Sequence, residues 1–166
     1  MANLEYILNA TPTAKNDRAS PPRSVTASPA QTLDGSSLLR TSCAKESLRA
    51  YHPSPETITV LWDYYVRNVD ILVKILYKPT VEDLVISATR DLNEIDVSTE
   101  ALLFAIYFAA ARSMSRDECL QLTGEHRDVS VRKYRYALEQ ALAQVGWMTT
   151  QEVVVLQALL LMIVSH

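Results

Sequence analysis

Glycine and cysteine are scarce in this chain of 166 residues, and no long hydrophobic run or strong excess of one charge is present. The three glycines are Gly35, Gly124 and Gly146. A sheet protein of this size needs more turn glycines than that. The scarcity therefore favours an all-α fold.

The two cysteines, Cys43 and Cys119, are too few and too far apart for a disulfide framework or a zinc site, whose ligands come in close pairs. We interpret them as reduced intracellular thiols. The histidines His52, His126 and His166 have no serine, cysteine or carboxylate at the spacing of a nucleophile and its base. We therefore predict no catalytic residue, no cofactor site, no metal ligand and no enzyme.

The formal net charge of -3 is small. It argues against a chain that binds nucleic acid over its whole surface, although a local basic arm could still do so. The most apolar run, residues 153–164, is too short to span a bilayer and is interrupted by Gln157. The first nine residues have no basic stretch followed by an apolar one, so a secretory signal is not expected.

Residues 1–52 are predicted to form a disordered arm or linker. Six of the 7 prolines precede residue 56, among Ser, Thr, Ala and Asn and with almost no aromatic side chains. Such a segment buries too little apolar surface to offset the entropy lost on ordering it. Its slight excess of basic residues is scattered, which favours a solvated linker over a nucleic-acid-binding arm.

Residues 53–166 are predicted to form a helical domain, a bundle of about six helices. Ser54 can cap the first helix, with Pro55 at its first position. Apolar residues then recur at steps of three and four from Ile58 to Leu76, which predicts one helix or two nearly collinear ones ending at Pro79. Thr80 is expected to cap the next helix.

The central helix is predicted over residues 101–111, which are apolar on every side and must be buried. Ser98 or Thr99 is the expected cap. The acidic connection before it, residues 90–97, is interpreted as a solvated loop, because Ile95 occupies a ligand position of a calcium loop and the required glycine is missing.

Capping signals divide the second half of the domain. Ser115 and Glu118 form a capping box for a short helix that ends at Gly124. A longer helix is predicted from Arg127 to Val145. The basic residues near its start fan around it without a glycine-rich loop, so we interpret them as a solvated face rather than a phosphate site: Arg127, Arg132, Lys133 and Arg135.

A last helix is predicted over residues 153–164 behind a second capping box, Thr149 and Glu152. This helix is apolar all round, and about 110 residues are too few to cover both it and the central helix. We therefore expect that another chain, or a missing C-terminal part, supplies a further layer. The candidate interface residues are Val155, Leu159, Leu160, Met162 and Ile163.

Four segments, in order, resemble the fungal-specific transcription factor domain, the helical regulatory region that follows a binuclear zinc cluster in fungal activators. The first is LWDYYVRNVDILVKILYKPT at residues 61–80. The others are ALLFAIYFAA at residues 101–110, YRYALEQAL at residues 134–142, and residues 149–159. The resemblance extends over residues 56–164.

The resemblance implies a nuclear transcription regulator of the secondary-metabolism type. Members that bind DNA carry six closely spaced cysteines, which residues 1–52 lack, and the family's domain continues for many more helices. We therefore expect a truncated or standalone regulatory domain that acts through protein contacts, without direct DNA contact from this chain.

Two alternatives stay open. One is a helical interaction module that pairs through its C-terminal helix with itself or with a full-length relative. The other is a small helical enzyme that holds an apolar substrate among Trp62, Tyr65 and Tyr107.

Overall fold

The computed structural model describes residues 47–166, and within them the secondary structure is entirely helical. The predicted all-α bundle of about six helices is confirmed. Most of the predicted arm, residues 1–46, lies outside the described residues. The six α-helices are α1 (Pro55–Asn68), α2 (Lys78–Arg90), α3 (Val97–Ser113), α4 (Arg116–Thr123), α5 (Arg127–Val145) and α6 (Val153–Val164).

Helix α3 is the centre of the bundle, because α1, α5 and α6 all pack against it. Every residue from 101 to 111 is buried, as the absence of a polar face predicts. The predicted cap is two or three residues too late: Asp96, not Ser98 or Thr99, accepts the backbone N–H groups of Ser98 (3.1 Å) and Thr99 (3.2 Å). A carboxylate suits this position because the N-terminus of a helix carries partial positive charge.

Helix α1 begins as predicted but ends earlier than its apolar pattern indicates. Ser54 Oγ accepts the N–H of Thr57 at 3.3 Å, and Pro55 is the first helical residue. The helix ends at Asn68, so the prediction of one helix, or of two nearly collinear helices, as far as Pro79 is wrong. Residues 69–77, which we call the α1–α2 loop, contain buried Asp70, whose carboxylate pairs with Lys78 Nζ at 3.1 Å.

Helix α2 starts at Lys78, and Pro79 lies in its first turn rather than at the end of the preceding element. Proline is compatible with this position because the first N–H groups of a helix have no intrahelical acceptor. Tyr77 is the N-cap and makes no side-chain cap bond, so the predicted Thr80 cap is wrong. A short 3₁₀ turn, Leu92–Glu94, connects α2 to α3.

Both predicted glycine stops are confirmed. The Ser115–Glu118 capping box is present in full, and α4 ends at Gly124 with φ 74°. Helix α5 spans the predicted residues and ends at Gly146 with φ 69°. This left-handed conformation is adopted at low cost by glycine alone, because other residues place Cβ against the backbone.

The ordered core includes residues that the sequence analysis assigned to the arm. Leu48–Tyr51 forms a 3₁₀ turn whose first side chain, Leu48, is buried. The ring of Tyr51 lies 5.5 Å from that of Tyr136, and the ring of His52 lies 4.4 Å from that of Phe104. Composition averaged over 52 residues hid this short segment, since three side chains are enough to anchor a single turn.

Candidate interaction surface

Helix α6 packs on α3 with one face and leaves the other uncovered within the described residues. Its buried side chains are Val155, Ala158 and Leu161, spaced at intervals of three. The second predicted capping box is absent: Glu152 is the N-cap and makes no side-chain cap bond. Helix α6 is therefore held mainly by the apolar face that it presents to α3.

The opposite face of α6 is an exposed apolar strip, which we call the α6 stripe. Its side chains are 47–66% exposed. They are Val153, Leu156, Leu160, Ile163 and Val164. At 3.6 residues per turn these positions fall within about 100° of the helix circumference. A continuous strip of this kind on a folded domain is typical of a contact surface.

The structure separates the five candidate interface residues into three groups. Leu160 and Ile163 lie on the α6 stripe. Leu159 and Met162 are partly buried and pack against the core. Val155 is fully buried against the core, so its assignment to an exposed interface is wrong.

Sequence reasoning missed three members of the α6 stripe: Val153, Leu156 and Val164. Helical spacing identifies these three residues once Leu160 is known to be exposed. Relative to Leu160 these residues lie at i−7, i−4 and i+4, which places them on its face of a helix. Apart from Gln157 the helix is apolar all round, so its sequence does not indicate which face is turned outwards.

The α1–α2 loop runs beside α6. Gln157, the one polar side chain of α6, donates its Nε2–H to the main-chain oxygen of Ile75 at 3.0 Å. Farther along, Leu72 and Val73 of the loop and Val164 of α6 line the same depression, whose volume is about 290 Å³. Leu72 is 81% exposed, so the loop extends the apolar surface beyond the helix itself.

Arg112, at the end of α3, holds the last residues of the chain. Its Nε donates to the main-chain oxygen of Ser165 at 3.1 Å, and its Nη2 donates to that of His166 at 2.6 Å. Arg127 Nη2 donates in turn to the main-chain oxygen of Arg112 at 2.7 Å. These bonds satisfy carbonyl groups that the end of a helix leaves without N–H donors.

A second depression, of about 240 Å³, lies on the other side of Arg112. Its apolar lining comes from Phe108 and Val131, and its charged lining from Arg112, Arg132 and Arg135. His166 lines both depressions. No carboxylate side chain among the described residues lines either one.

The basic residues near the start of α5 do not act together. Lys133 Nζ contacts both oxygens of Glu125, at 2.7 and 2.8 Å. Burial raises the pKa of Glu125, but the hydrogen bond and charge of Lys133, together with the hydrogen bond of Ser130, outweigh it, so the net pKa lies below the ordinary value. Arg132 and Arg135 instead join Arg112 around the second depression. That grouping depends on tertiary packing and is invisible in the sequence.

The aromatic residues of the enzyme alternative are packed into the core. Trp62 and Tyr65 stack with ring centroids 5.7 Å apart, and Tyr65 and Tyr107 are fully buried. Burial raises the pKa of both tyrosines, with the charge of Asp70 adding to the effect on Tyr65. They are neutral at any ordinary pH and contribute packing rather than proton transfer.

Within residues 47–166, no group of three or more His, Cys, Asp and Glu side chains is placed to hold a metal ion. Cys119 is buried, with its Sγ 3.6 Å from Thr123 Oγ1. In the same part of the chain, no helix combines the length and the apolar character needed to cross a bilayer.

Three proteins similar to this chain are named as transcription regulators or transcription factors. Over 119 residues the chain is 34% identical to the transcriptional regulator AacuB of Aspergillus aculeatus, covering 72% of this chain and 16% of the relative. The chain is similar to fungal transcription regulators.

Two further relatives support this similarity. The aurofusarin cluster transcription factor aurR2 of Gibberella zeae is 34% identical over 119 residues, covering 72% of this chain and 18% of the relative. The C6 finger domain transcription factor nscR of Aspergillus fumigatus is 32% identical over 109 residues, covering 64% of this chain and 14% of the relative. The relatives named here are transcription factors rather than enzymes, which supports the prediction of a non-enzymatic chain.

The matched region is a small part of those fungal regulators, since the chain spans between 14 and 18% of the length of the three relatives. No protein-family model matches the chain, and no solved structure matches it significantly. The similarity therefore extends to part of each regulator and not to its whole length.

Proposed function

We propose that this chain is the N-terminal part of a regulatory domain of the fungal zinc-cluster type and that it acts in the nucleus through protein contacts. The observation that carries the proposal is the α6 stripe, five exposed apolar side chains on one face of an ordered helix. The relatives supply the biological setting, because their names are those of transcription regulators. A contact surface without a catalytic constellation fits a regulatory role.

Direct DNA binding is not part of the proposed role. The six closely spaced cysteines of the DNA-binding members have no counterpart among the 2 cysteines of this chain. Without a zinc cluster to present a helix to the major groove, sequence-specific recognition has no scaffold here. Zinc-dependent, sequence-specific binding of the purified chain to duplex DNA would contradict this part of the proposal.

The proposal is tested by capturing partners from fungal nuclear extract with two forms of the purified chain. One is the wild type and the other carries Leu160→Asp, which places a charge at the centre of the α6 stripe. We expect proteins of the transcription apparatus to be retained by the wild type and lost with the variant. Leu120→Asp is the matched control, because Leu120 on α4 is 42% exposed and lies outside the stripe.

Two results would contradict the proposal. The first is equal capture by the wild type and Leu160→Asp. The second is a chain that stays outside the nucleus when it is expressed with a fluorescent tag in a fungal cell.

The same exposed face supports a second candidate function, self-association through α6. An apolar strip can pair with an identical strip in a two-fold arrangement. Light scattering over a range of protein concentrations separates the candidates. A dimer that Leu160→Asp dissociates would support the second candidate, whereas a stable monomer would exclude it.

A further inference from the structure

The inference that follows rests on the proposed function and concerns the chemistry of the partner that the α6 stripe receives. All five side chains of the stripe are aliphatic. Helix α6 has 12 residues, so the stripe is about 18 Å long at 1.5 Å per residue. One turn of a helix rises about 5.4 Å, so a partner helix laid along the stripe must be apolar on one face over roughly three turns.

The surroundings of the stripe are not apolar at every point. Near its N-terminal half, Gln157 fixes the α1–α2 loop alongside the helix. At its C-terminal end, Val164 and Leu72 line one depression, while Arg112 and His166 line both that depression and its neighbour. The apolar surface thus ends at Arg112, and Arg132 and Arg135 line the neighbouring depression beyond it.

These arginines are poorly neutralised within the described residues. Arg132 donates its Nε–H to a main-chain oxygen, that of Asp128, at 3.0 Å. Arg112 bonds main-chain oxygens at the end of the chain. Arg135 alone has a carboxylate side chain as its partner, Glu139 at 2.9 Å. We call Arg112, Arg132 and Arg135 the basic end of the stripe.

A second copy of the chain fits this surface less well than an acidic segment does. Self-pairing would cover the aliphatic side chains, but α6 itself has no carboxylate, and its N-cap Glu152 is the one acidic residue of residues 147–166 that an antiparallel pair could bring to the basic end. A stable dimer buries about 800 Å² on each partner. Five half-exposed side chains on one short helix offer less than that, whereas a single helix laid along the stripe needs no larger surface.

We propose that the α6 stripe and its basic end form a docking site for an acidic amphipathic helix of another protein. The partner helix lays apolar side chains, spaced at i, i+3, i+4 and i+7, along the stripe. Two or more Asp or Glu residues at one end of it lie over Arg132 and Arg135. Guanidinium groups bind carboxylates in two-pronged geometry, so the basic end also fixes the direction of the bound helix.

The test uses the full chain and a fluorescent peptide of about 16 residues, which spans about 24 Å as a helix. The peptide carries four leucines at the stated spacing and three glutamates at one end. A matched peptide has glutamine in place of each glutamate. Fluorescence anisotropy measures the dissociation constant of each peptide as the salt concentration is raised from about 0.05 to 0.5 M.

We expect the acidic peptide to bind more tightly than the matched peptide and to lose affinity as salt screens the charges. Arg132→Gln combined with Arg135→Gln should weaken the acidic peptide about fivefold and leave the matched peptide within twofold. The control is Arg116→Gln, because Arg116 is 80% exposed and its 3.8 Å partner is Asp128, outside both depressions. This control should change neither affinity.

Each contrary outcome has its own meaning. Equal, salt-insensitive binding of both peptides, lost in Leu160→Asp, would overturn the acidic partner and leave the proposed contact surface intact. Binding of both peptides that Leu160→Asp does not weaken would overturn the proposed surface as well. No binding of either peptide would overturn the docking site. Displacement of the peptide by duplex DNA, or by vesicles containing anionic phospholipid, would replace the peptide partner with a phosphate-bearing one.

Discussion

His52 Nε2 lies 3.2 Å from Glu100 Oε1, and this contact joins the segment before α1 to the first turn of α3. The His52 side chain is 2% exposed and its ring packs 4.4 Å from that of Phe104 and 5.9 Å from that of Tyr107. A residue assigned from composition to a linker is thus part of the core. The contact ties the start of the described chain to the central helix.

Replacing His52 with alanine should lower the free energy of unfolding by about 1–3 kcal/mol, because it removes a part-buried hydrogen bond and leaves Glu100 without its partner. Urea denaturation measures the change. The matched control is His126→Ala, since His126 is exposed and makes no side-chain cap bond at the start of α5. That control should stay within about 0.5 kcal/mol of the wild type. Equal stability of the wild type and His52→Ala would contradict the packing seen here.

Asp96→Ala should destabilise the domain by about 1 kcal/mol, because the carboxylate caps two N–H groups at the start of α3. Asp96→Asn should recover most of the loss, since the amide oxygen remains an acceptor. The comparison is Glu152→Ala at the start of α6, where no side-chain cap bond exists. Thermal unfolding followed by circular dichroism measures all three, and a larger effect at Glu152 than at Asp96 would contradict the assigned caps.

Leu160 and Leu161 are neighbours with opposite surroundings, 48% and 0% exposed. Leu161→Asp should unfold the domain, because it buries an unpaired charge against α3. Leu160→Asp should leave the melting temperature nearly unchanged and raise solubility, because it interrupts an exposed apolar strip. Melting curves and the concentration at which each variant precipitates test the pair. Equal unfolding of both variants would mean that both positions are core.

The acid stability of the domain should depend on Glu118. Hydrogen bonds from Tyr64 and Ser115 lower the pKa of Glu118 from 4.5 to about 2. The same contact with Glu118 raises the pKa of Tyr64. A folded-state pKa below the unfolded one means that the stabilisation is present above the unfolded pKa and is lost as pH falls through the folded value.

We therefore expect the wild type to exceed Glu118→Gln in melting temperature at neutral pH. The difference should shrink as pH falls from about 4.5 to about 2. Circular dichroism melts at a series of pH values measure it. A difference that stays constant over this range would contradict the lowered pKa.

Local sequence features are enough to predict the helical class, the buried central helix, and the ends of α4 and α5. These features depend on local chemistry: the lack of a polar face in residues 101–111, the Ser115–Glu118 capping box, and the two left-handed glycines. Each is set by interactions within a few residues, so periodicity and capping rules predict it.

Long-range packing sets the end of α1, the order of residues 47–52 and the composition of the candidate surface. Asp70 becomes buried by pairing with Lys78 where the apolar pattern predicts a continued helix. Val155 and Leu160 are both aliphatic residues of one helix, and packing against α3 makes the first core and leaves the second exposed. Arg112 joins Arg132 and Arg135 across two helices. Contacts between residues distant in sequence fix these features, and no local pattern in the chain encodes them.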